Sequence, residues 1–353
     1  MKKILLSLLL IVVLFSLWSY NAMDGFDTVE PHFAGSCEVV RGEGSAEDIE
    51  IDHQAGVAFI SAKDRLGAAS SGDNNGTITV YDLAAAKDRF EMEPLQGMDD
   101  FSPHGISLYQ AEDGRRRLYV INHRATGEET IEVFDVAADH SLNFVKTLRD
   151  PLFFSPNDLV AVGWDQLYIA NDSGATNGFE TGMQMMGLMD ISTIVYFDQD
   201  RATVAIDSFP TSGGINSSKD GKTLYIGGTS SKSLEVYRRD VNNGALSFLQ
   251  SFDLKMGVDN IDVAVDGAVW VAGHPKVIDL IGHFASQGEK PAPSQVYILP
   301  LDTMANDGSL AAPVDIFTSL GDDLSASSVA AEHQGKFYIG GITPKKMLVC
   351  TPG

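Results

Sequence analysis

Residues 154–163 read FSPNDLVAVG. Leu159 to Val162 is an apolar run entered through Pro156, the pattern of a buried β-strand. Yet Asn157 and Asp158 stand where apolar side chains belong. The same oddity recurs as Glu47-Asp48 ahead of IEID and as Asp259-Asn260 in VDNIDVAV. Successive residues of a strand point to opposite faces, so such doublets can serve two separate sites at once.

Self-similarity extends outward from this stretch. Six strand pairs share one pattern: GVAFIS with TITVYDL, RRLYVINH with TIEVFDV, DQLYIAND with STIVYFD, KTLYIGGT with SLEVYRR, GAVWVAGH with SQVYILP, and GKFYIGG with KMLVC. Their spacing is roughly that of four-stranded propeller blades, and Val, Ile, Tyr and Phe cluster between Gly, Asn and Asp turns. A sandwich also uses many short strands, but six comparable units in chain order favour radial repetition. The expected fold is all-β, a six-bladed β-propeller forming one domain over residues 23–353, with a metal-binding central tunnel. The Met-rich segment GFETGMQMMGLMDIS, residues 178–192, interrupts the third unit. It is expected to form a small helix beside the site, Met being adaptable enough to pack or to bind.

The formal charge of −23 argues against nucleic-acid or anionic-membrane partners, which need a basic surface. It suits cations, or a saline habitat. The first residues differ from the body: Lys2 and Lys3 precede an apolar run from Ile4 to Trp18, the layout of an export signal. A small-residue cleavage position follows Ala22, but Tyr20 is bulky there, so residues 1–22 read equally as a cleaved signal or as a membrane anchor slightly short for a span. In either case the body is exported: periplasmic, secreted or tethered to a membrane. Its two cysteines, Cys37 and Cys350, lie at opposite ends of that body. They are either unrelated thiols or, as an oxidising compartment favours, a disulfide tying the termini together.

In a propeller the innermost strands line a central channel, so polar residues at equivalent blade positions converge although remote in sequence. Glu47, Asn157, Asn216, Asp259 and Asn260 each sit at or near the start of an apolar strand. Carboxylate and amide oxygens without thiolates match a hard cation such as Ca²⁺. Asp48 and Asp158, the second members of two doublets, face the other way and suit a second, deeper Ca²⁺ completed by backbone carbonyls. Any one of these residues alone reads as turn chemistry; the repetition in successive units points to metal. His104 and His123, in one unit, and His274 supply candidate bases near neutral pH, while no His spacing resembles a compact zinc motif. No Gly-x-Ser-x-Gly elbow is present.

Taken in order, GSAEDIEI, PHGISLY, YVINH, TIEVFDV, SPNDLVAVG, LYIANDS, GINSSKDGKTLYI, VDNIDV and GHP resemble the paraoxonase (serum arylesterase) family from about Cys37 to Cys350. The resemblance implies a six-bladed propeller with two Ca²⁺ ions that hydrolyses lactones and aryl esters; a promiscuous phosphotriesterase side activity is left open. It implies a catalytic Ca²⁺ on Glu47, Asn157, Asn216, Asp259 and Asn260, and a structural Ca²⁺ on Asp48, Asp158 and the backbone carbonyl of Ile106. It also implies a His104–His123 base dyad, a further active-site histidine at His274, and a Cys37–Cys350 disulfide. Three positions depart from the vertebrate pattern: the loop SAKDRLGAASSGDNNGT has no Tyr, Ser173 replaces a His, and Gly273 replaces a free Cys.

The mechanism expected is polarisation of an acyl oxygen by Ca²⁺ with His104, aligned by His123, activating water; Glu47 or Asp259 are the alternative bases. The rival readings are a sugar-lactone hydrolase of the gluconolactonase type and an exported, non-catalytic binding propeller with a structural ion. The partner expected is a small lactone or ester; the oligomeric state is left open.

Overall fold

The computed structural model describes residues 2–72, 74–85, 87–300 and 311–353. Six antiparallel sheets are arranged in a ring. Their innermost strands are Ser45–Asp52, Pro103–Gln110, Pro156–Gly163, Ser212–Ser217, Gly257–Val263 and Ser327–His333. Each lies against the next, and the sixth returns to the first. The protein is a six-bladed β-propeller.

The strand pairs visible as a repeat are the second and third strands of the blades, such as Arg116–His123 with Glu129–Val136 in blade two. These are the most regular because both their faces are buried between neighbouring blades, so apolar residues run almost continuously along them. Tyr119, Ile121, Ile131, Leu167, Ile169 and Val195 form one such layer between blades two and three. Each aliphatic side chain buried this way contributes roughly 1.5–3 kcal/mol. The polar doublets lie on the innermost strands instead, next to the axis.

Blades two to five have four strands, as the spacing predicts, but blade one has three: Ser45–Asp52, Val57–Lys63 and Gly76–Asp82. Strand Gly35–Gly42, which precedes blade one in the chain, is instead the fourth strand of the sixth sheet, antiparallel to Lys346–Pro352, with Arg89–Phe90 added beyond it. Cys37 and Cys350 are register partners in that pairing and form a disulfide across a sequence separation of 313. The ring is thus closed by the two ends of the propeller, through hydrogen bonds and one covalent link.

Among the described residues, four helices decorate the strands. The first, Lys2–Ala22, buries none of its residues and, at 21 residues with mean hydropathy 2.1, is long and apolar enough to cross a membrane. It extends beyond the apolar run alone and fits a signal or anchor. The chain just after it is docked: the Asp24 carboxylate pairs with Lys232, and Met23 O accepts from Ile278 N at 3.0 Å. The Met-rich insert does form a helix, Gly178–Met185, yet the residue it buries is Gln184, which bonds Ser173 Oγ, Asp172 O and Ser192 Oγ. Its position is set by polar contacts, while Phe179, Met185 and Leu188 are exposed.

Replacing Cys37 and Cys350 together by Ser is expected to lower the unfolding free energy by roughly 2–5 kcal/mol. Urea titration of the variant against the oxidised protein measures it; coincident transitions would mean that strand pairing alone closes the ring.

Candidate functional site

Every innermost strand breaks register with its neighbour near one end. The shifts fall between Ala46 and Asp48, Pro103 and Ile106, Pro156 and Asp158, Ser212 and Ile215, Val258 and Ile261, and Ser327 and Val329. A bulge frees one or two residues from the ladder and re-aims their side chains. The freed residues are Glu47, His104-Gly105, Asn157, Gly213-Gly214, Asp259-Asn260 and Ser328. Six blades therefore present a ring of unpaired positions to the axis at one level, and four of them carry residues singled out in the sequence.

Backbones approach closely there. A Cβ on Gly214 would lie 2.4 Å from Asp259 O, and one on Gly273 would lie 2.2 Å from Gly257 O. The second contact explains why this backbone takes glycine at 273: a cysteine would collide with the adjacent strand.

Glu47 is at the centre of the outer cluster, with a side chain 2% exposed. Its Oε1 lies 3.3 Å from His104 Nε2 and 3.2 Å from Asn260 Nδ2. Its backbone carbonyl accepts from Asn260 Nδ2 at 3.0 Å and from Ser328 Oγ at 2.6 Å. Arg65 Nη2 stands 3.5 Å from Oε2. Burial pushes the Glu47 carboxyl up, but the neighbouring His104 and Arg65 charges and the hydrogen bonds from His104 and Asn260 outweigh it and bring it down to about 2. Asp259 accepts from His274 Nε2 at 3.0 Å, and burial raises it against that pairing. His274 is itself 3% exposed.

From Glu47 a line of groups leads outward. His104 Nδ1 is 2.7 Å from His123 Nε2, and His123 Nδ1 is 2.5 Å from Glu129 Oε2. Side-chain exposure rises along it, from 17% at His104 to 29% at His123. Burial, opposed by Glu129, lowers the His123 pKa.

Asp48 and Asp158 lie deeper and repeat one motif. Asp48 accepts from Ile49 N and, across the blade boundary, from Ile106 N, both at 2.8 Å. Asp158 accepts from Leu159 N and from Ile215 N, both at 2.7 Å. Burial first, and then the negative charge of Glu47 or of Asp48, pushes both carboxyls well above their ordinary range. Ile106 faces Asp48 through its N–H.

Asn216 is the expected ligand that the structure sets apart. It is paired with Tyr225, one residue beyond the first re-formed pair after the bulge, whereas Glu47 and Asn157 precede that pair in their own strands. That offset of two residues is roughly 7 Å along a strand. Its Oδ1 accepts from Ser217 N at 2.7 Å and its Nδ2 donates to Ile261 O at 2.8 Å. Glycines occupy the bulge of that blade, so Asn216 does not share a level with Glu47, Asn157, Asp259 and Asn260.

Buried oxygens and nitrogens without a hydrogen-bond partner among the described residues include Glu47 Oε2, Asn157 Oδ1, Asn260 Oδ1 and His274 Nδ1. Leaving such atoms unpaired is costly, and three of the four are oxygen acceptors at one level of one channel. That donor set fits a hard cation. Among the described residues no three or more His, Cys, Asp or Glu form a group able to hold an ion; the amides of Asn157 and Asn260 carry half of this set.

Three contributors carry no mark in the sequence reading. Glu129 is the direct register partner of His123, so aligning RRLYVINH against ETIEVFDV would have revealed it. Ser328 lies in a bulge of the last blade, and Arg65 opens the helix Arg65–Ser71 that follows the second strand of blade one; neither stands out by type or spacing. Ser173, where the vertebrate pattern has His, serves the insert helix by bonding Gln184.

A sequence model of the Arylesterase family matches residues 26–351. The chain belongs to the Arylesterase family. It is similar to serum paraoxonase/arylesterase 1 of Homo sapiens, 30% identical over 328 residues and covering 90% of each chain. It is also similar to serum paraoxonase/lactonase 3 of Oryctolagus cuniculus, 28% identical over 337 residues, 93% of this chain and 92% of that one. Among solved structures, a luciferin-regenerating enzyme superposes with a TM-score of 0.57 at 12% identity, over 90% of this chain and 95% of that one, a likeness of fold alone. Between the two enzyme families weighed from the sequence, kinship lies with the arylesterases.

The link from Ser328 to the Glu47 carbonyl should be measurable within this arylesterase fold. Ser328→Ala is expected to lower the unfolding free energy by about 1 kcal/mol in urea titration; no change would leave Asn260 as the sole support of that carbonyl.

Proposed function

We propose that this arylesterase-family chain hydrolyses lactones and aryl esters with Ca²⁺ as cofactor. The observation that carries the reading is the hydrogen-bonded line Glu129–His123–His104, ending 3.3 Å from Glu47 beside the unpartnered Asn157 and Asn260 oxygens. Glu47, Asn157, Asp259 and Asn260 would hold the catalytic ion, and Asp48 and Asp158 a deeper structural one. When bound, calcium supplies Lewis acidity toward an acyl oxygen and electrostatic stabilisation of the negative charge that develops on it, worth several kcal/mol.

The chain's own residues prepare the water. Glu129, as a carboxylate, can only accept, so His123 carries its proton on Nδ1 and presents a lone pair at Nε2. His104 must then donate from Nδ1, and its Nε2 serves as the base only once it has given up the proton that it otherwise donates to Glu47. These tautomers are assigned from the hydrogen-bond network. They place a base where a water reaches it from the channel. The water oxygen attacks the acyl carbon while its proton passes to His104 Nε2; on collapse the same proton goes to the departing alkoxide, giving acid and alcohol. His123 and Glu129 stabilise the imidazolium in between, the division of labour of a carboxylate–histidine pair. The Asp259–His274 pair is engaged with itself, which favours His104 over His274 as the base.

His104→Gln is expected to lower kcat on a lactone by about 10²- to 10⁴-fold with a smaller change in KM; full activity in pH-stat assays would end the histidine-base proposal. Chelation followed by desalting is expected to abolish hydrolysis and lower Tm, with both restored by Ca²⁺. Activity that survives verified removal of calcium would refute the cofactor assignment, and a calcium-dependent Tm without hydrolysis of any lactone, aryl ester or phosphotriester would favour a binding propeller.

A further inference from the structure

Arg65 is a charged group at this site for which the reaction above has no use. Its side chain is 18% exposed, and its Nε and Nη2 are buried with no hydrogen-bond acceptor among the described residues. The anion beside it is Glu47, whose Oε2 is 3.5 Å from Nη2, too far for a good hydrogen bond. The carboxylate next to it in sequence, Asp64, is occupied: it caps Gly67 N at 2.9 Å and pairs with Lys345 Nζ at 2.6 Å. Helix Arg65–Ser71, capped by that same Asp64, fixes where the guanidinium starts.

A guanidinium left with unpaired buried N–H groups is costly, and its fork matches a planar carboxylate. Glu47 gives its Oε1 to His104 and Asn260, and its remaining oxygen, Oε2, stands 3.5 Å from Nη2 and leaves Nε unserved. The missing partner is therefore an anion that arrives with the ligand. We propose that Arg65 forms a subsite for a carboxylate on the substrate, so that this chain prefers lactones and esters bearing an acid group near the scissile bond. This rests on the hydrolase reading above and adds the substrate class to it. It also gives the loop after the first repeat strand, which lacks the family's Tyr, a distinct role in selection.

The test uses the full calcium-loaded chain as wild type, Arg65→Met and Arg65→Lys. Hydrolysis of γ-carboxy-γ-butyrolactone and of unsubstituted γ-butyrolactone is followed in the pH-stat, and glutarate binding by calorimetry. The wild type should favour the carboxylated lactone, and Arg65→Met should reduce the ratio of the two kcat/KM values by about 10- to 100-fold, with Arg65→Lys retaining part of it. Glutarate binding should be lost in Arg65→Met. A ratio unchanged by Arg65→Met, or glutarate binding that ignores the substitution, overturns the subsite even if both lactones are hydrolysed. Arg65-dependent glutarate binding in a chain that hydrolyses neither these lactones nor any aryl ester or phosphotriester supports the subsite and removes the hydrolase reading instead.

Discussion

Burying carboxylates along an axis is the constraint on which the rest of this molecule depends. Glu47, Asp48, Asp158 and Asp259 lie within one channel, all nearly excluded from solvent, where isolated negative charge is expensive. The protein offsets part of that cost with its own groups: N–H donors from the next blade for Asp48 and Asp158, Asn260 and Ser328 around Glu47, and His274 for Asp259. Burial pushes the carboxyls of Asp48 and Asp158 up even with these donors in place, and unpartnered oxygens of Glu47, Asn157 and Asn260 lie above them. The ring architecture follows from the same need, since it is the arrangement that lets six short strands aim at one line.

The bulges convert this architecture into chemistry. Along a regular strand every second residue would face the axis and both of its backbone groups would be committed to the ladder. Interrupting the ladder of each inner strand at a matching level releases side chains of different types toward one another while the flanking pairs keep the blade intact. His104 reaches Glu47 from a different blade because both are freed at that level. The apolar layers between second and third strands bear the packing, so the innermost strands are free to be polar.

Much of this was legible in the sequence, for identifiable reasons. The strand pairs TIEVFDV, STIVYFD and their counterparts repeat because they are buried on both faces, and burial restricts composition. The doublets Glu47-Asp48 and Asn157-Asp158 stand out because charge is anomalous in that setting. What was not legible depends on register. Asn216 has the right residue type but is two positions too far along its strand, an offset that only the bulge at Gly213-Gly214 defines. Glu129 lies outside the repeat core and gains its meaning from the residue it faces. The three-stranded first blade is invisible locally, because the segment after its third strand, Arg89–Phe90, joins the sixth sheet beside Gly35–Gly42, the strand that the start of the propeller lends to its end.

That loan has a consequence for how the molecule is made. Strand Gly35–Gly42 is among the first parts of the propeller to be synthesised, and its partner Lys346–Pro352 is the last. Until that partner has been made the leading strand lacks its ladder, and the cluster of Val40, Ile49, Tyr338 and Met347 cannot assemble. Blades two to five draw all their strands from contiguous sequence and can form in order of emergence, while the seam waits. A chain shortened by its final strand would keep all six inner strands yet have an open edge along Lys336–Gly341 and an unmated thiol at Cys37, so the circle closes last.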